Sequence, residues 1–439
     1  MQYTFRTITK QQWLNRLFAL LMCASLLISS VAAAPSPAQA QAAGATAAAP
    51  AAQDAERVNY RNLIVKMKAP GGLQSMAEAS ALPELNLTPM FPEAAAAGES
   101  LGAQSVSTLS TYYSADLGEG ATFEQAQQTL DALLQNPQVE TAYMAPILAP
   151  ASNLMATPND YEPQQTYLTA LNVPGATGPT GSKGANVTLV DIEGGWIVGH
   201  EDLPISNDNF LPGSVNSSDM TWLNHGTAVL GVVAGRDNTY GVTGIAPDTY
   251  IRMISTLGYV SISQAILAAT QELTKDGRTG DIILLPVQGL GPRTNTECPA
   301  GCDCSTFEYI PVEYWPDVYE AIYAATSAGI IVIEAAGTGA VNLNADVYTN
   351  RFNRSVRDSG AILVGAGASD TREPLCNANT GSRIDLQGWG ENVVTTGYGD
   401  LYMDGDSNPT SFYTSSFGGS SAAAAMVAGA ASSLQGVAR

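Results

Sequence analysis

The sequence is poor in histidine and in basic residues. Of its 439 residues only two are histidines, His200 and His225, and 19 Lys and Arg stand against 40 Asp and Glu, which gives a formal net charge of −21. Because binding to nucleic acid or to an anionic membrane relies on clustered Lys and Arg, this composition disfavours both kinds of partner. Any chemistry that needs an imidazole must use one of these two side chains.

Cysteine is also scarce. Cys23 lies in the N-terminal apolar run, and four cysteines follow much later: Cys298, Cys302, Cys304 and Cys376. An even number fits disulfides formed in an oxidising compartment, and four cysteines allow three pairings. A metal cluster is the alternative, but the spacing in CPAGCDC matches no standard zinc knuckle and no histidine lies nearby. The residues therefore favour disulfides and leave their pairing open.

Long hydrophobic runs are confined to the N-terminus. Arg6, Lys10 and Arg16 precede an apolar run at residues 17–28, and Ala-Gln-Ala at 38–40 fits a signal-peptidase site. This order is typical of a signal peptide, here residues 1–40, and it predicts an exported protein that is secreted or periplasmic. A membrane anchor is the alternative, but the run is short for a spanning helix. We expect no membrane association after the signal is removed.

Two folded parts are expected after the signal. Residues 41–59 are an Ala-rich spacer, and residues 60–153 predict a small α+β unit. In that unit Thr122 and Gln125 form a capping-box pair at the start of a helix that Asn136-Pro137 ends. Its position between a signal peptide and a much larger domain suggests a propeptide, although an ordinary N-terminal domain would occupy the same place.

The larger part, residues 154–439, alternates apolar strands with helices. Examples are NVTLVD, YIRMIS, ISQAILAATQEL, DIILLP and IIVIEAAG. Apolar strands separated by helices of ten or more residues predict an α/β fold with a parallel sheet and helices on both faces. In such sheets functional side chains gather at the carboxyl ends of the strands.

The candidate nucleophile is Ser421, in FGGSSAAAAMVAG. The two glycines before it permit a sharp turn, and the small residues after it predict a helix that begins at or beside Ser421. A serine at a helix start can present its hydroxyl for attack while its own N–H faces the developing oxyanion. The alternative is an Ala- and Gly-rich helix that merely packs closely against its neighbours.

Two more residues complete a candidate catalytic group. His225 opens HGTAVLGVVAG and is expected at a helix start, whereas His200, in GHEDLP, is better interpreted as a hydrogen-bonded loop residue. Asp191 is expected to end the strand NVTLVD, from where a carboxylate can hold the imidazole's second N–H. The chain order Asp, His, Ser is that of subtilisin and differs from that of chymotrypsin and of the α/β-hydrolases.

Four stretches resemble the motifs of the subtilisin-like serine proteases, the subtilases. VTLVDIEGGWIVGHEDL is similar to the aspartate motif, HGTAVLGVVAGRDNTYGVTGIAP to the histidine motif, IIVIEAAGTG to the oxyanion-hole segment, and GGSSAAAAMVAG to the serine motif. The resemblance covers most of the chain from residue 161 onward. It implies a subtilisin-like fold in which Ser421 is the nucleophile, His225 the general base and Asp191 its orienting carboxylate.

The resemblance also implies an oxyanion hole and a substrate cleft. The Ser421 N–H and the Thr338 side chain would stabilise the oxyanion, although relatives have asparagine where this chain has Thr338. The cleft would be lined by six residues that pair with an extended peptide as an added strand: Gln288, Gly289, Gly291, Ala335, Ala336 and Gly337.

As a member of this family the chain would be a secreted serine endopeptidase made as a self-processing proenzyme. Its partners would be protein or peptide substrates and its own propeptide, which would act as an inhibitor until a cut between Pro150 and Pro158. We expect a monomer without an organic cofactor. Structural calcium is common in the family, but no loop has a ligand pattern that identifies a site.

Departures from the family pattern keep alternatives open. Ser420 replaces a threonine and Ala425 a proline, and the chain stops at Arg439 where relatives continue, which predicts a fragment. Together with Thr338, this favours as the alternative a catalytically weak or inactive relative that binds peptides. A serine esterase, which would hydrolyse small esters but not proteins, is a further alternative.

Overall fold

Most of the chain from residue 58 onward is described. The structure, a computed structural model, describes residues 58–69, 85, 87–92, 108–118, 120–146, 148–150, 160–173, 178–294, 297–302, 305–403 and 408–439. The predicted signal peptide, nearly all of the spacer and the predicted processing range from Pro150 to Pro158, apart from Pro150 itself, lie outside these residues. The chain divides into Met1–Ala47 and Ala48–Arg439, and every described residue belongs to the second unit.

The N-terminal part of the described chain is an antiparallel sheet with one helix. Its elements are β1 (Val58–Met67), β2 (Leu87–Pro89), β3 (Tyr112–Asp116), α1 (Phe123–Gln135) and β4 (Val139–Pro146), and the strand order is β2-β3-β1-β4. The predicted capping box is confirmed, because Gln125 N–H donates to Thr122 Oγ1 at 3.2 Å and Thr122 N–H donates to Gln125 Oε1 at 2.9 Å. Leu63, Val65, Leu133 and Met144 bury the face between sheet and helix.

The remaining elements follow in chain order. They are β5 (Leu148–Pro150), α2 (Thr166–Ala170), β6 (Thr188–Glu193), α3 (Met220–Ala234), β7 (Tyr250–Ser255), α4 (Ile262–Thr274), β8 (Ile282–Leu285), β9 (Val287–Leu290), β10 (Tyr309–Ile310), α5 (Pro316–Ser327), β11 (Ile331–Ala335), β12 (Ile362–Gly367), β13 (Leu386–Trp389), β14 (Val393–Thr396), β15 (Tyr413–Phe417) and α6 (Gly419–Ala438).

Six of these strands form a parallel sheet in the order β13-β12-β11-β8-β6-β7. Neighbouring residues of one strand point to opposite faces, so Leu189 packs with α3 and α6 on one face, whereas Val190 packs with α4 and α5 on the other. Strands this apolar are stable only when both faces are covered. The predicted α/β fold with helices on both faces is confirmed.

Helix α6 is the core helix of one face. It is 20 residues long, and among the described residues it is the one helix long and apolar enough to cross a membrane by length and composition. Its side chains from Ala422 to Met426 are buried against the sheet and α3. Its hydrophobicity is therefore accounted for by packing inside the fold.

The antiparallel N-terminal sheet packs on the opposite face, against α4 and α5. Ile64 and Phe91 share an apolar cluster with Leu267 and Ala324, and the Tyr143 hydroxyl contacts the carboxylate of Asp317 in the first turn of α5. Both parts of the chain thus share buried surface.

One disulfide joins two segments that lie far apart in sequence. Cys302 and Cys376 are bonded across a separation of 74 residues, which selects among the three pairings that the sequence left open. Cys298 is disulfide-bonded as well, while Cys304 lies outside the described residues. The bond fastens the segment between β9 and β10 to the segment between β12 and β13.

Candidate functional site

Ser421 lies in the first turn of α6, as predicted. β15 ends at Phe417, and Gly418 then approaches the main chain so closely that a Cβ there would lie 2.5 Å from the Gly390 carbonyl oxygen. The turn therefore requires glycine and sends α6 into the core. Ser421 is fully buried, and its hydroxyl donates to the Pro286 carbonyl at 2.8 Å. A hydroxyl has one proton, so in this structure Ser421 does not donate to His225.

His225 lies in the second turn of α3, and its predicted position at a helix start is wrong. Asp219 is the N-cap, and its side chain accepts the Thr221 N–H at 2.8 Å, so the helix begins one turn earlier than expected. The imidazole is fully buried and meets the ring of Phe417 edge-on, with centroids 5.8 Å apart. Because Phe417 ends the strand that leads into α6, this contact brings His225 to the start of the helix that carries Ser421.

The carboxylate that faces His225 belongs to Glu193 and not to Asp191. Strand β6 does not end at Asp191 but continues to Glu193, and Glu193 Oε1 lies 2.5 Å from His225 Nδ1. Asp191 instead accepts the Trp196 indole N–H through Oδ2 at 2.8 Å. The predicted contact between Asp191 and the imidazole is therefore wrong, and Glu193 takes its place.

The sequence signal for this difference was the glycine pair after Glu193. Residues two apart on a strand share a face, so Asp191 and Glu193 both point toward α3, and periodicity alone cannot choose between them. Gly194 and Gly195 mark the point where the strand ends and the chain turns. The last carboxylate before that turn, with one methylene more than aspartate, is the one that reaches the imidazole.

Burial sets the protonation of this group. It raises the pKa of the Glu193 carboxyl well above its usual range and lowers the pKa of His225 to about 3. Burial also raises the pKa of Asp191, and the nearby charge of Glu193 raises it further. A charged group loses its hydration in such a site, so the uncharged forms are favoured. His225 is therefore neutral at neutral pH, with Nδ1 toward Glu193 and Nε2 on the opposite side of the ring.

The segments on the other side of Ser421 are β9 and residues 335–338. Gly337 N–H donates to the hydroxyl of Ser420, the neighbour of Ser421, at 3.0 Å. Gly337 has a φ of +87°, and a Cβ there would lie 2.6 Å from Asn379 Nδ2 and 3.0 Å from the Tyr309 carbonyl oxygen. Residues 335–338 are thus held between the nucleophile helix and the chain from β10.

Thr338, the predicted oxyanion donor, uses its hydroxyl elsewhere. Gln288 Oε1 accepts the Thr338 N–H at 2.8 Å and the Thr338 hydroxyl at 3.2 Å, and the Thr306 hydroxyl lies 3.1 Å from Thr338 Oγ1. These hydrogen bonds are buried, since Gln288 is fully buried and Thr338 nearly so. The structure therefore joins Gln288 to Thr338, two predicted site residues, by side-chain hydrogen bonds.

The other predicted cleft residues lie in the same neighbourhood. Gly289 packs against the ring of Trp315, and Gly291 N–H donates to the Glu308 carbonyl at 3.0 Å. Ala335 ends β11, and Ala336 accepts an Asn379 side-chain N–H at 2.8 Å. These contacts fix the positions of the predicted cleft residues.

The strand that was predicted to receive a peptide is paired with the chain's own β5. β5 runs antiparallel to β9 with Leu148 opposite Gly289, Ala149 opposite Gln288 and Pro150 opposite Val287, and β10 pairs with the other edge of β9. The register leads β5 toward Pro286, whose carbonyl accepts the Ser421 hydroxyl. A three-residue strand gives too weak a sequence pattern for this pairing to be predicted.

A cavity of about 470 Å³ is lined by the start of β1 and the end of β4 on one side and by Trp222 and the chain after β7 on the other. Pro146 lines it from the N-terminal part of the chain, and Trp222, Leu257 and Tyr259 line it from the larger part. The ring of Trp222 also meets that of His225 edge-on, with centroids 6.4 Å apart. Trp222 therefore contacts both the cavity and the imidazole ring.

His200 lies apart from this group. Its Nε2 lies 2.8 Å from the Phe412 carbonyl oxygen, its Nδ1 accepts the Asp202 N–H at 3.2 Å, and burial lowers its pKa to about 4. The interpretation as a hydrogen-bonded loop residue is confirmed. In the part of the chain that the structure describes, no group of three or more His, Cys, Asp or Glu side chains could hold a metal ion.

Comparison with known proteins gives one family. The model of the subtilase family, Peptidase S8, matches residues 200–438, a range that includes His225 and Ser421 and begins after Asp191 and Glu193. Subtilisin DY from Bacillus licheniformis is 28% identical over 255 residues, which cover 57% of this chain and 77% of that protein. The major intracellular serine protease of Bacillus subtilis (strain 168) is 26% identical over 228 residues, 49% of this chain and 61% of that protein.

Solved structures are similar at the level of the fold. The epidermin leader peptide processing serine protease (EpiP) from Staphylococcus aureus has a TM-score of 0.50 at 17% sequence identity, with 84% of this chain and 86% of that chain covered. Fervidolysin from Fervidobacterium pennivorans has a TM-score of 0.49 at 15% identity, with 84% and 53% covered. The likeness to EpiP agrees with the parallel sheet and its flanking helices.

Proposed function

Since this chain belongs to the subtilase family of serine proteases, we propose that it is an exported endopeptidase that hydrolyses peptide bonds through an acyl-enzyme on Ser421. The observation that carries the proposal is the contact between His225 Nδ1 and Glu193 Oε1, 2.5 Å apart and fully buried. Once it is ionised, Glu193 in that position can orient the imidazole and stabilise the imidazolium that forms when the base accepts a proton.

The reaction uses three side chains and one main-chain N–H. His225 Nε2 accepts the Ser421 proton as Ser421 Oγ forms a bond to the substrate carbonyl carbon. The carbon–nitrogen bond then breaks, and the proton passes from His225 to the leaving amine. Water, activated by the same imidazole, hydrolyses the ester and restores Ser421. For this the Ser421 hydroxyl must first turn away from the Pro286 carbonyl.

The oxyanion is stabilised chiefly by the Ser421 N–H at the start of α6. Thr338 is a second donor only when its hydroxyl leaves Gln288 Oε1, and we expect its share to be small. Neither proton transfer nor oxyanion stabilisation requires a metal ion in this scheme. Structural calcium, common in the family, remains an expectation without assigned ligands.

The N-terminal part of the chain acts as a propeptide in this proposal. β5 pairs with β9, the strand expected to bind substrate, and its register leads to the carbonyl that holds the Ser421 hydroxyl. A substrate protein cannot pair with β9 while β5 remains there. Self-cleavage between Pro150 and Pro158 would separate the two parts, and the N-terminal sheet would then remain as a bound inhibitor.

The test is labelling of the purified protein with a fluorophosphonate probe, with mass measurement of the product. The parent protein is expected to label once and to lose its N-terminal part, whereas Ser421→Ala does neither. Circular dichroism of both proteins controls for folding. A folded parent that stays full length and unlabelled would overturn the proposal.

A peptide-binding relative without useful catalysis is the second candidate function. Two observations favour it: the Ser421 proton is directed to a main-chain carbonyl, and the Thr338 hydroxyl is held by Gln288. The same experiment separates the candidates, because a binding protein would retain its N-terminal part and would not react with the probe. A serine esterase would label with the probe but would leave its own peptide bonds intact.

A further inference from the structure

We propose that Gln288 closes the side-chain space beside Ser421, so that the residue on the acyl side of the cleaved bond must be small, that is glycine, alanine or serine. This inference rests on the proposed protease function and adds to it the class of bond that is cut. It follows from three features of the described cleft.

The first feature is the path of a bound peptide. The register of β5 on β9 places Pro150 opposite Val287, so a peptide that continues this register brings its next residue opposite Pro286. The Pro286 carbonyl is 2.8 Å from the Ser421 hydroxyl. The residue opposite Pro286 is therefore the one whose carbonyl carbon lies within reach of the nucleophile.

The second feature is the space available to that residue's side chain. Residues 335–338 also reach the start of α6, since Gly337 N–H donates to the hydroxyl of Ser420 at 3.0 Å. β9 and residues 335–338 are thus the two walls between which this side chain must fit. Gly337 itself is closely packed, because a Cβ there would lie 2.6 Å from Asn379 Nδ2 and 3.0 Å from the Tyr309 carbonyl oxygen.

The third feature is the side chain that joins the two walls. Gln288 leaves β9 and reaches residues 335–338, where its Oε1 accepts both the N–H and the hydroxyl of Thr338 at 2.8 and 3.2 Å. The same oxygen would lie 3.4 Å from a Cβ on Gly337. Gln288 is fully buried, so a large substrate side chain could enter only by displacing it and by leaving buried polar groups of Thr338 unpaired.

The chain's own sequence agrees with this rule. The residue that follows Pro150 is Ala151, and Ser152 comes next. On this rule we expect Ala151 to be the residue on the acyl side of the first bond that is cut. The first bond cut would then be Ala151–Ser152, within the predicted processing range.

The experiment compares two peptide substrates, using the processed enzyme obtained from the full-length chain. They are succinyl-Leu-Ala-Pro-Ala-p-nitroanilide and the same peptide ending in phenylalanine. We expect kcat/KM to favour the alanine peptide by roughly tenfold or more, and Gln288→Ala to shift this ratio toward phenylalanine by roughly tenfold. The ratio is informative because any effect of Gln288 on Thr338 and the oxyanion is common to both peptides.

Gln387→Ala is the control, since Gln387 is likewise a strand glutamine with a side-chain hydrogen bond to the main chain, here from its amide to the Arg372 carbonyl, but it lies on β13. It should leave the ratio unchanged. Equal turnover of both peptides by the parent, or an unchanged ratio in Gln288→Ala, would overturn the inference while labelling by the fluorophosphonate probe still supports the protease. A parent that does not label overturns the protease proposal, and the inference with it.

A second measurement leaves Gln288 in place, in case its replacement prevents folding. Ala151→Phe should slow self-processing by roughly tenfold or more, whereas Ala151→Ser should process at the parent rate and leave a product that begins at Ser152. Processing of Ala151→Phe at the parent rate, with the cut at the same bond, would contradict the inference. Mass measurement of the products distinguishes these outcomes.

Discussion

The two sides of Ser421 depart from the expected pattern in different ways. On the proton-transfer side, which is His225 with Glu193, the expected kinds of side chain are present and only the position of the carboxyl group differs. On the acyl-binding side, which is β9 with residues 335–338, the side chains themselves differ, and Gln288 and Thr338 are bonded to each other. A carboxylate can be exchanged at constant function if its oxygen reaches the same nitrogen. A cleft wall cannot be exchanged without changing what fits.

This contrast indicates where rate and specificity are decided. The proton-transfer side is fully buried and closed around a neutral imidazole, so it should work as in any protease with this group of side chains. The acyl-binding side should set both the oxyanion stabilisation and the choice of substrate. Four predictions test this division.

Glu193→Gln should have the largest effect. The amide can turn an N–H toward His225 Nδ1, so the imidazole adopts the wrong tautomer and its charged form loses stabilisation. We expect kcat/KM to fall by about 10³- to 10⁴-fold. Asp191→Asn is the control: it keeps an acceptor for the Trp196 indole and should cost less than about tenfold. A larger loss of kcat/KM in Asp191→Asn than in Glu193→Gln would show that Asp191 orients the imidazole.

Removal of the Cys302–Cys376 disulfide should affect stability next. The bond closes a loop of 74 residues in sequence and fastens the two segments behind the acyl-binding side. We expect Cys302→Ser with Cys376→Ser, made in a Ser421→Ala background, to lower the free energy of unfolding by about 2–4 kcal/mol. Urea unfolding measures this against Ser421→Ala alone. An unchanged midpoint would show that these segments are held by other contacts.

Thr338→Val tests the oxyanion role of the threonine. Loss of a true oxyanion donor costs about 10²- to 10³-fold in rate. Because the Thr338 hydroxyl is bonded to Gln288 and lies 3.1 Å from that of Thr306, we expect kcat to fall by less than about tenfold. Thr338→Ser, which keeps the hydroxyl, is the control. A loss of about 10²-fold or more in the valine variant alone would restore Thr338 as a principal donor.

The smallest expected effect concerns the two histidines, neither of which should titrate near pH 6.5. Burial lowers the pKa of His225 to about 3 and that of His200 to about 4, so both rings should stay neutral at pH 5.5. The chain has only these two histidines, so two imidazole NMR resonances of Ser421→Ala report them. A ring whose pKa is lower in the folded state makes stability fall as pH drops below about 6.5. Titration of His225 near 6.5 would mean that the proton-transfer side is open to water.

Much of the fold could be predicted because its signals are local. The helix that carries Ser421 follows from two glycines and a run of small residues, and the capping box of α1 follows from Thr122 and Gln125. Alternating apolar strands and helices specify the parallel sheet. Each of these features depends on residues a few positions apart, which the sequence displays directly.

The errors arose where the structure depends on distant contacts or on a shift of a few residues. Asp191 and Glu193 share a strand face, and only the length of β6 decides which one meets His225. His225 was placed at a helix start because the N-cap signal of Asp219 was missed. The hydrogen bonds between Gln288 and Thr338 join positions 50 residues apart, so no local sequence pattern predicts them.

Because β5 is covalently joined to the N-terminal sheet, it competes with substrate for β9 differently before and after a cut. While the chain is intact, β5 is tethered to β9 and acts there at an effective concentration that for short tethers is on the order of millimolar. After a cut the same segment must be held by the packing of the sheet on α4 and α5, including Ile64, Phe91 and Tyr143. Under the proposed self-processing, occupancy of the cleft would then depend on dilution, because the two pieces are no longer covalently joined.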